Sequence, residues 1–296
     1  MDTSMPIVSV ITLTYNNFEK LADTVESVLT QDYSHIEYII SDDGSQSFPD
    51  EMINNLLSQN HLIRFQVIKH PNVGTVRNKN IALKESHGMY IVPLSGGDSF
   101  VSPDVVSNIV KKFQETDADI VTAKSVFRDK NTGDLRIHPP EKRTKLLQSN
   151  DRKRLFYELC VSSFISGSCT YYSRRVLEKY GGFNEEYKLI EDFPFYTQFI
   201  LDGGKIHFLD MVTINYDTNG ITSKKRGVSQ LLVRDRKLYY KKIIWPNIGK
   251  ISHIQKQELR FRYYQMCGSR IPVLYFMQLI TCIDFIFVKL IRKLIK

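Results

Sequence analysis

Three carboxylate groupings stand where apolar runs break off: Asp42-Asp43 ahead of Gly44-Ser45, Asp98 behind Gly96-Gly97, and the pair Glu191-Asp192. The run Tyr90-Ile-Val-Pro-Leu-Ser-Gly-Gly-Asp-Ser-Phe100 is the most informative, because a buried strand there ends in two glycines and one acid. Glycines such as Gly97 let a ligand approach the backbone with no Cβ in the way, and Asp98 offers a hard oxygen donor or a charge. Glu191 and Asp192 open a helical pattern, where the backbone dipole stabilises negative charge, so either can stay ionised and accept a proton at neutral pH. Taken singly, each grouping also has a plainer reading: an Asx turn at 42–45, a tight turn at 96–97, a helix cap at 191–192. Arg77 alone reads as well as the surface partner of an acid, and His70, His87 and His207 read as structural, so no role is assigned to them.

The elements that must hold these residues alternate. Val8–Thr14 reads as a buried strand, and Leu21, Val25, Val28 and Leu29 recur at helical spacing behind Asn16 and Asn17, which suit a helix cap. Further strands are predicted at 36–40, 63–68 and 90–94, with helices near 50–58, 74–86 and from Pro103 onward. This rhythm predicts an α/β core: a Rossmann-like, mostly parallel sheet flanked by helices, with ligands at the carboxyl ends of the strands. Beyond Ile120 the pattern predicts a hairpin around Asn131-Thr-Gly133, a helix near 151–161, a strand at 169–172, and helices at 174–180 and 191–201 stopped by glycine pairs. After Tyr216 the remainder reads as helical.

With 296 residues and 42% hydrophobic content, one large domain with an appendage can bury a core. Cys160, Cys169, Cys267 and Cys282 show no paired spacing, which favours a reducing compartment over a disulfide framework or a thiolate metal site. The first residues run straight into a strand pattern without the regions of a signal peptide, so a cytoplasmic location is expected. The net charge of +8 is unevenly spread: residues 200–296 hold 18 Lys and Arg against 6 Asp and Glu, whereas residues 1–199 hold 22 against 26. The expected division is therefore a catalytic domain over 1–218 and a basic, mainly helical region over 219–296. Such asymmetry points to an anionic partner at the basic end, nucleic acid or anionic lipid.

In order and approximate spacing, Val8-Ser-Val-Ile-Thr-Leu-Thr-Tyr-Asn16, Ser41-Asp-Asp-Gly-Ser45, Asn72-Val-Gly-Thr-Val-Arg-Asn78, Ser95-Gly-Gly-Asp98, and Gly181-Gly-Phe-Asn-Glu185 followed by Glu191-Asp192 resemble the family 2 inverting glycosyltransferases of the A-type fold. The resemblance implies roles for matched residues. Leu13, Thr14 and Tyr15 would lie along the base and ribose of a nucleotide-sugar donor, Asp43 would touch the base or ribose, and Arg77 would approach the nucleotide or its diphosphate. Asp98 would hold a divalent cation, Mn²⁺ or Mg²⁺, bridging the diphosphate, and Asp192, with Glu191 beside it, would be the catalytic base. The implied donor is a UDP-hexose and the implied acceptor a growing, lipid-linked capsular polysaccharide or exopolysaccharide of a bacterium. A single displacement inverts the anomeric carbon and needs no second nucleophile. The chain departs from the pattern at 95–98, where most members carry two or three acids and this one has Asp98 alone. Either the diphosphate then supplies most of the metal's ligands, or cations such as Arg77, Lys224 and Lys225 share the work. A second reading keeps donor binding and takes the thinned motif as decayed catalysis in a scaffold protein.

The stretch from Ile271 to Val288 is apolar but interrupted by Pro272, Gln278 and Asp284. A mid-span Asp costs roughly 2.5–3.5 kcal/mol on the insertion scale, which weighs against a membrane span. In helical projection Phe276, Leu279, Ile280, Ile283, Ile286, Phe287, Leu290, Ile291 and Leu294 share one side, opposite Gln278, Thr281, Asp284, Lys289, Arg292, Lys293 and Lys296. This amphipathic helix suits an anionic membrane surface on the inner face of the cell membrane, aided by the basic stretch 224–242, and equally suits packing on its own domain or a second subunit in a homodimer. Nucleic acid is not expected as a partner, because the basic residues accompany an apolar face and no recognised reader. A dinucleotide oxidoreductase is disfavoured because no GxGxxG follows the first strand.

Overall fold

The computed structural model describes residues 5–58, 64–128, 132–149, 151–162, 164–217, 230–268, 276–277 and 280–294. Its first half runs β1 (Val8–Thr14), α1 (Leu21–Leu29), β2 (Ile36–Asp42), α2 (Asp50–Ser58), β3 (Arg64–Lys69), α3 (Thr75–Lys84), β4 (Tyr90–Ser95), β5 (Ser99–Phe100) and α4 (Val105–Thr116). Then come β6 (Ile120–Arg128), β7 (Leu135–His138), α5 (Glu141–Gln148), α6 (Arg152–Val161), β8 (Thr170–Ser173), α7 (Arg174–Tyr180), α8 (Asp192–Leu201) and β9 (Ile206–Asn215). The basic part contributes α9 (Gln230–Tyr239), which widens into a turn over Tyr240–Ile244, then α10 (His253–Gly268) and α11 (Ile283–Leu294).

The strands form one sheet in the order β3-β2-β1-β4-β8-β6-β9-β5, with β7 paired to β6 off that path. Strands β1 to β4 are parallel neighbours, β6 and β9 are also parallel, and β5, β7 and β8 run antiparallel to their partners. Because successive strand residues point to opposite faces, the unbroken apolar runs of β1, β2 and β4 serve two cores. Val8, Val10, Tyr38, Ile40, Val92 and Leu94 face one cluster with Val25, Val28 and Ile109 of α1 and α4. Ile11, Ile39 and Ile91 face the other, with Val76 of α3 and Phe195 and Phe199 of α8. Helices α9 and α10 meet α6 and α8 in a third cluster, where Tyr239, Ile244 and Leu259 pack with Phe156 and Ile190.

Asn16 and Asn17 do not cap α1, whose N-terminal flank is Lys20. They tie strand ends together instead: the Asn17 amide donates to the Gly96 carbonyl, and the Asn16 side-chain oxygen accepts from the Gln46 N–H. Strand β9 and helix α5 have no counterpart in the sequence expectations. The pairing of β9 with β6 is irregular between Thr122 and Ser125, which breaks the alternation a strand otherwise displays. The predicted hairpin is the antiparallel pair β6–β7, with Asn131 outside the described residues. The boundary expected at 218, and Lys224 and Lys225 beyond it, also lie outside them. All four cysteines are free.

Candidate active site

A cleft of about 530 Å³ opens at the carboxyl ends of β1 and β4, and its lining includes Leu13, Lys79, Ser95, Gly167, Asp192 and Arg236. That is where a parallel sheet leaves room for ligands. Thus Leu13, Glu191 and Asp192, far apart in sequence, line one space.

Asp192 is the first residue of α8 and receives the Phe193 N–H on Oδ1 at 2.9 Å. Its other oxygen faces Gly167, where a Cβ would stand 2.9 Å from Oδ2, so the bare glycine leaves the carboxylate its place. Glu191 is buried next to it and pairs with the Lys79 ammonium at 3.0 Å, both side chains being about nine-tenths enclosed. The same ammonium lies 4.1 Å from the centre of the Phe183 ring. Burial pushes the Asp192 carboxyl up to about 7 and the Glu191 charge adds to the rise, while Lys79 opposes it. A carboxylate of that basicity is matched to removing a proton near neutral pH. Sequence reasoning missed Lys79, although a signal was present: Val76, Lys79, Asn80 and Leu83 share one face of α3, which places a charge in the buried stripe.

The residues matched to nucleotide binding are only partly gathered in the cleft. Thr14 is buried below it with Oγ1 unpartnered, and Tyr15 stands exposed beyond the strand. Asp43 is buried and holds a loop together: its oxygens accept from the Val73 N–H at 2.8 Å and the Gly74 N–H at 3.0 Å. His70 stands 3.7 Å from the same carboxylate, so this histidine belongs to that latch. Asp42 closes the turn by accepting from the Ser45 N–H and hydroxyl. Arg77 does not line the cleft; its Nε meets Glu185 at 3.2 Å in an exposed ion pair.

Asp98 is 2% exposed and likewise does not line the cleft. Its Oδ1 accepts the Asp217 N–H at 2.8 Å, and its Oδ2 is buried without a partner. Burial pushes this carboxyl up to about 7, the Asp217 charge adds to the rise, and the Asp217 N–H and the Lys20 ammonium work against it. Lys20 pairs with Asp217 at 2.9 Å, so a positive charge already stands beside the two acids. Gly97 has φ +106°, and a Cβ on it would lie 2.8 Å from the Asn17 amide nitrogen and 3.2 Å from the Asp217 carboxylate. An acid at 97 would be strained at that φ and would require the Asn17 amide to shift. Among the described residues no three His, Cys, Asp or Glu side chains converge as metal ligands. Asp98 offers one enclosed oxygen and the neighbouring Asp217 is already paired with Lys20, so the described residues do not fit the cation that the resemblance implies. Asp217 and Arg236 were invisible to sequence reasoning, since neither belongs to a motif.

A sequence model described as Glycosyl transferase family 2 matches residues 9–181. Among its relatives, the chain is 30% identical over 130 residues to Glycosyltransferase GlyG of Streptococcus pneumoniae, covering 44% of this chain and 42% of GlyG. It is 25% identical over 276 residues to Uncharacterized glycosyltransferase EpsJ of Bacillus subtilis, covering 91% and 77% respectively. A third relative, GalNAc(5)-diNAcBac-PP-undecaprenol beta-1,3-glucosyltransferase of Campylobacter jejuni, is 29% identical over 111 residues, or 38% of this chain and 36% of that protein. The match therefore spans less than half the length of two of these three relatives. In three dimensions the chain is similar to S. aureus TarS 1–349 in complex with UDP-GlcNAc, with a TM-score of 0.58 at 17% identity over 94% of this chain and 89% of that one. Mannosyltransferase PcManGT from Pyrobaculum calidifontis, solved with GDP-Man and Mn²⁺, gives a TM-score of 0.58 at 16% identity over 94% and 69%.

Proposed function

The chain belongs to glycosyl transferase family 2, with the A-type fold of that family, and we propose that it moves a hexose from a UDP-sugar, with inversion, to a hydroxyl of a growing bacterial surface polysaccharide. The observation that supports this most is Asp192, a carboxyl of near-neutral pKa opening onto the cleft at the sheet's carboxyl end. In the proposed step the acceptor oxygen attacks the anomeric carbon as its proton passes to Asp192. The bond from that carbon to the diphosphate oxygen breaks, and the nucleoside diphosphate leaves with the electron pair. Lys79 pairs with Glu191 and holds it in place, so that Asp192 is the carboxylate left to the acceptor. The UDP reading draws on the TarS complex, and a lipid-linked acceptor draws on the undecaprenol-linked substrate in the name of the Campylobacter relative. Incubating the full chain with a panel of nucleotide sugars and lipid-linked acceptors is expected to release UDP and give a product of opposite anomeric configuration by NMR. UDP release without sugar transfer would instead favour a donor-binding protein whose catalysis has decayed.

The C-terminal helix supports a place at the membrane. Among the described residues no helix is long and apolar enough to cross a bilayer. Helix α11 turns Phe285 toward α10, its ring 5.5 Å from Phe261, and Asp284 accepts from Gln257 at 2.7 Å. This leaves Phe276, Ile280, Ile283, Phe287, Leu290 and Leu294 exposed in one row, with Lys289, Arg292 and Lys293 on the same helix. Leu279 and Gln278 lie outside the described residues. An apolar row beside cations suits insertion into the interface of an anionic leaflet. In flotation with vesicles containing anionic lipid, the full chain is expected to rise with the lipid and a form ending before Ile271 to stay below. Equal flotation of both forms would remove the helix from membrane binding.

A further inference from the structure

The leaving group that the proposed reaction releases needs positive charge, and the residues at 95–98 do not supply it through a metal. Lys79 and Arg236 are the lysine and arginine that line the cleft. Lys79 is committed to Glu191 and to the Phe183 ring. Arg236, one helical turn after Leu232, lines the same cleft from α9 as residues 189–193, the segment that presents Asp192. Its guanidinium is exposed, and among the described residues it makes no ion pair.

The helix that presents Arg236 is firmly seated. Asp235, fully buried, accepts the Lys188 N–H and the Leu189 N–H, both at 2.7 Å, on one oxygen, and pairs with Arg234 at 3.0 Å through the other. Asp235 thus pins α9 to the loop leading into Asp192, which fixes where the next residue stands. A guanidinium held at a cleft in this way offers a planar fork of donors that matches phosphate oxygens two at a time.

Resting on the nucleotide-sugar reading above, we propose that this chain binds a nucleoside diphosphate without a divalent cation, with Arg236 supplying the positive charge for the diphosphate. The Asn17 and Asp217 side chains stand against Gly97, and Lys20 pairs with Asp217, so among the described residues the strand end offers a cation no set of free ligands.

Titration calorimetry of the full chain with UDP, GDP and dTDP, in EDTA and in excess Mn²⁺, tests this directly. At least one diphosphate is expected to bind with the same Kd, within about twofold, under both conditions. Arg236→Gln is expected to weaken that binding roughly tenfold or more in both, and Arg236→Lys to recover part of it. Because the side chain is exposed, both variants are expected to melt with the wild type. A Kd that tightens tenfold or more with Mn²⁺, or that Arg236→Gln leaves unchanged, overturns the proposal while leaving the nucleotide-sugar reading intact. Failure of all three diphosphates to bind under either condition overturns both.

Discussion

Asp192→Asn is expected to lower transfer by roughly 10²- to 10⁴-fold while leaving UDP binding near its wild-type value, because an amide of the same size cannot accept the acceptor's proton. Stability separates this outcome from simple damage. The folded carboxyl sits at about 7, above its ordinary value of 3.8, so folding disfavours the ionised form. Its contribution to stability is complete below the ordinary value and is lost progressively as pH rises through the folded one. Thermal melting of Asp192→Asn at pH 8 is therefore expected to equal or exceed that of the wild type, with the difference shrinking toward pH 4. The same titration predicts that kcat/KM of the wild type falls below pH about 7 as Asp192 takes up a proton. Near-normal turnover in the Asn variant, or a profile flat from pH 5 to 8, would refute Asp192 as the base.

Lys79→Met is expected to destabilise the fold by about 3–5 kcal/mol, read from urea unfolding of the full chain. The physical reason is asymmetric. With the ammonium gone, Glu191 remains enclosed and charged with no opposite charge at hydrogen-bond distance, and the contact with the Phe183 ring is lost too. Adding Glu191→Leu removes the orphaned charge, so the double variant is expected to regain most of the loss. A single variant costing less than about 1 kcal/mol would mean that Glu191 finds water or a proton instead, and that the buried pair does not order the approach to Asp192.

Glu191 and Asp192 are adjacent in sequence, yet packing gives them different work: the first is tied down by a lysine, and the second keeps an oxygen toward the cleft. This division of labour between neighbouring acids follows from where opposite charge stands in the fold. The same contrast separates Asp98 from the role expected of it. As the acid ending a strand it resembles a ligand, but in the fold it receives a backbone N–H from the segment after β9, the strand paired with β5, and stands beside an acid already paired with a lysine.

The alternating α/β core was legible in the residue pattern, because period-two and period-3.6 repeats report directly which faces are buried. The family was legible as well, because five short motifs recur in order at strand and helix ends, where local backbone geometry dictates glycine, asparagine and acid. Helix α8 opening at Asp192 was legible for the same local reason. Which of these acids is paired, enclosed or open follows from contacts made only in the folded chain. Lys79 and Glu191 are 112 residues apart, Asp98 and Asp217 are 119 apart, and Arg236 reaches the cleft from a helix outside every motif. Charge, burial and reach are set by neighbours in space, and a side chain's chemistry follows them more closely than it follows its place in the chain.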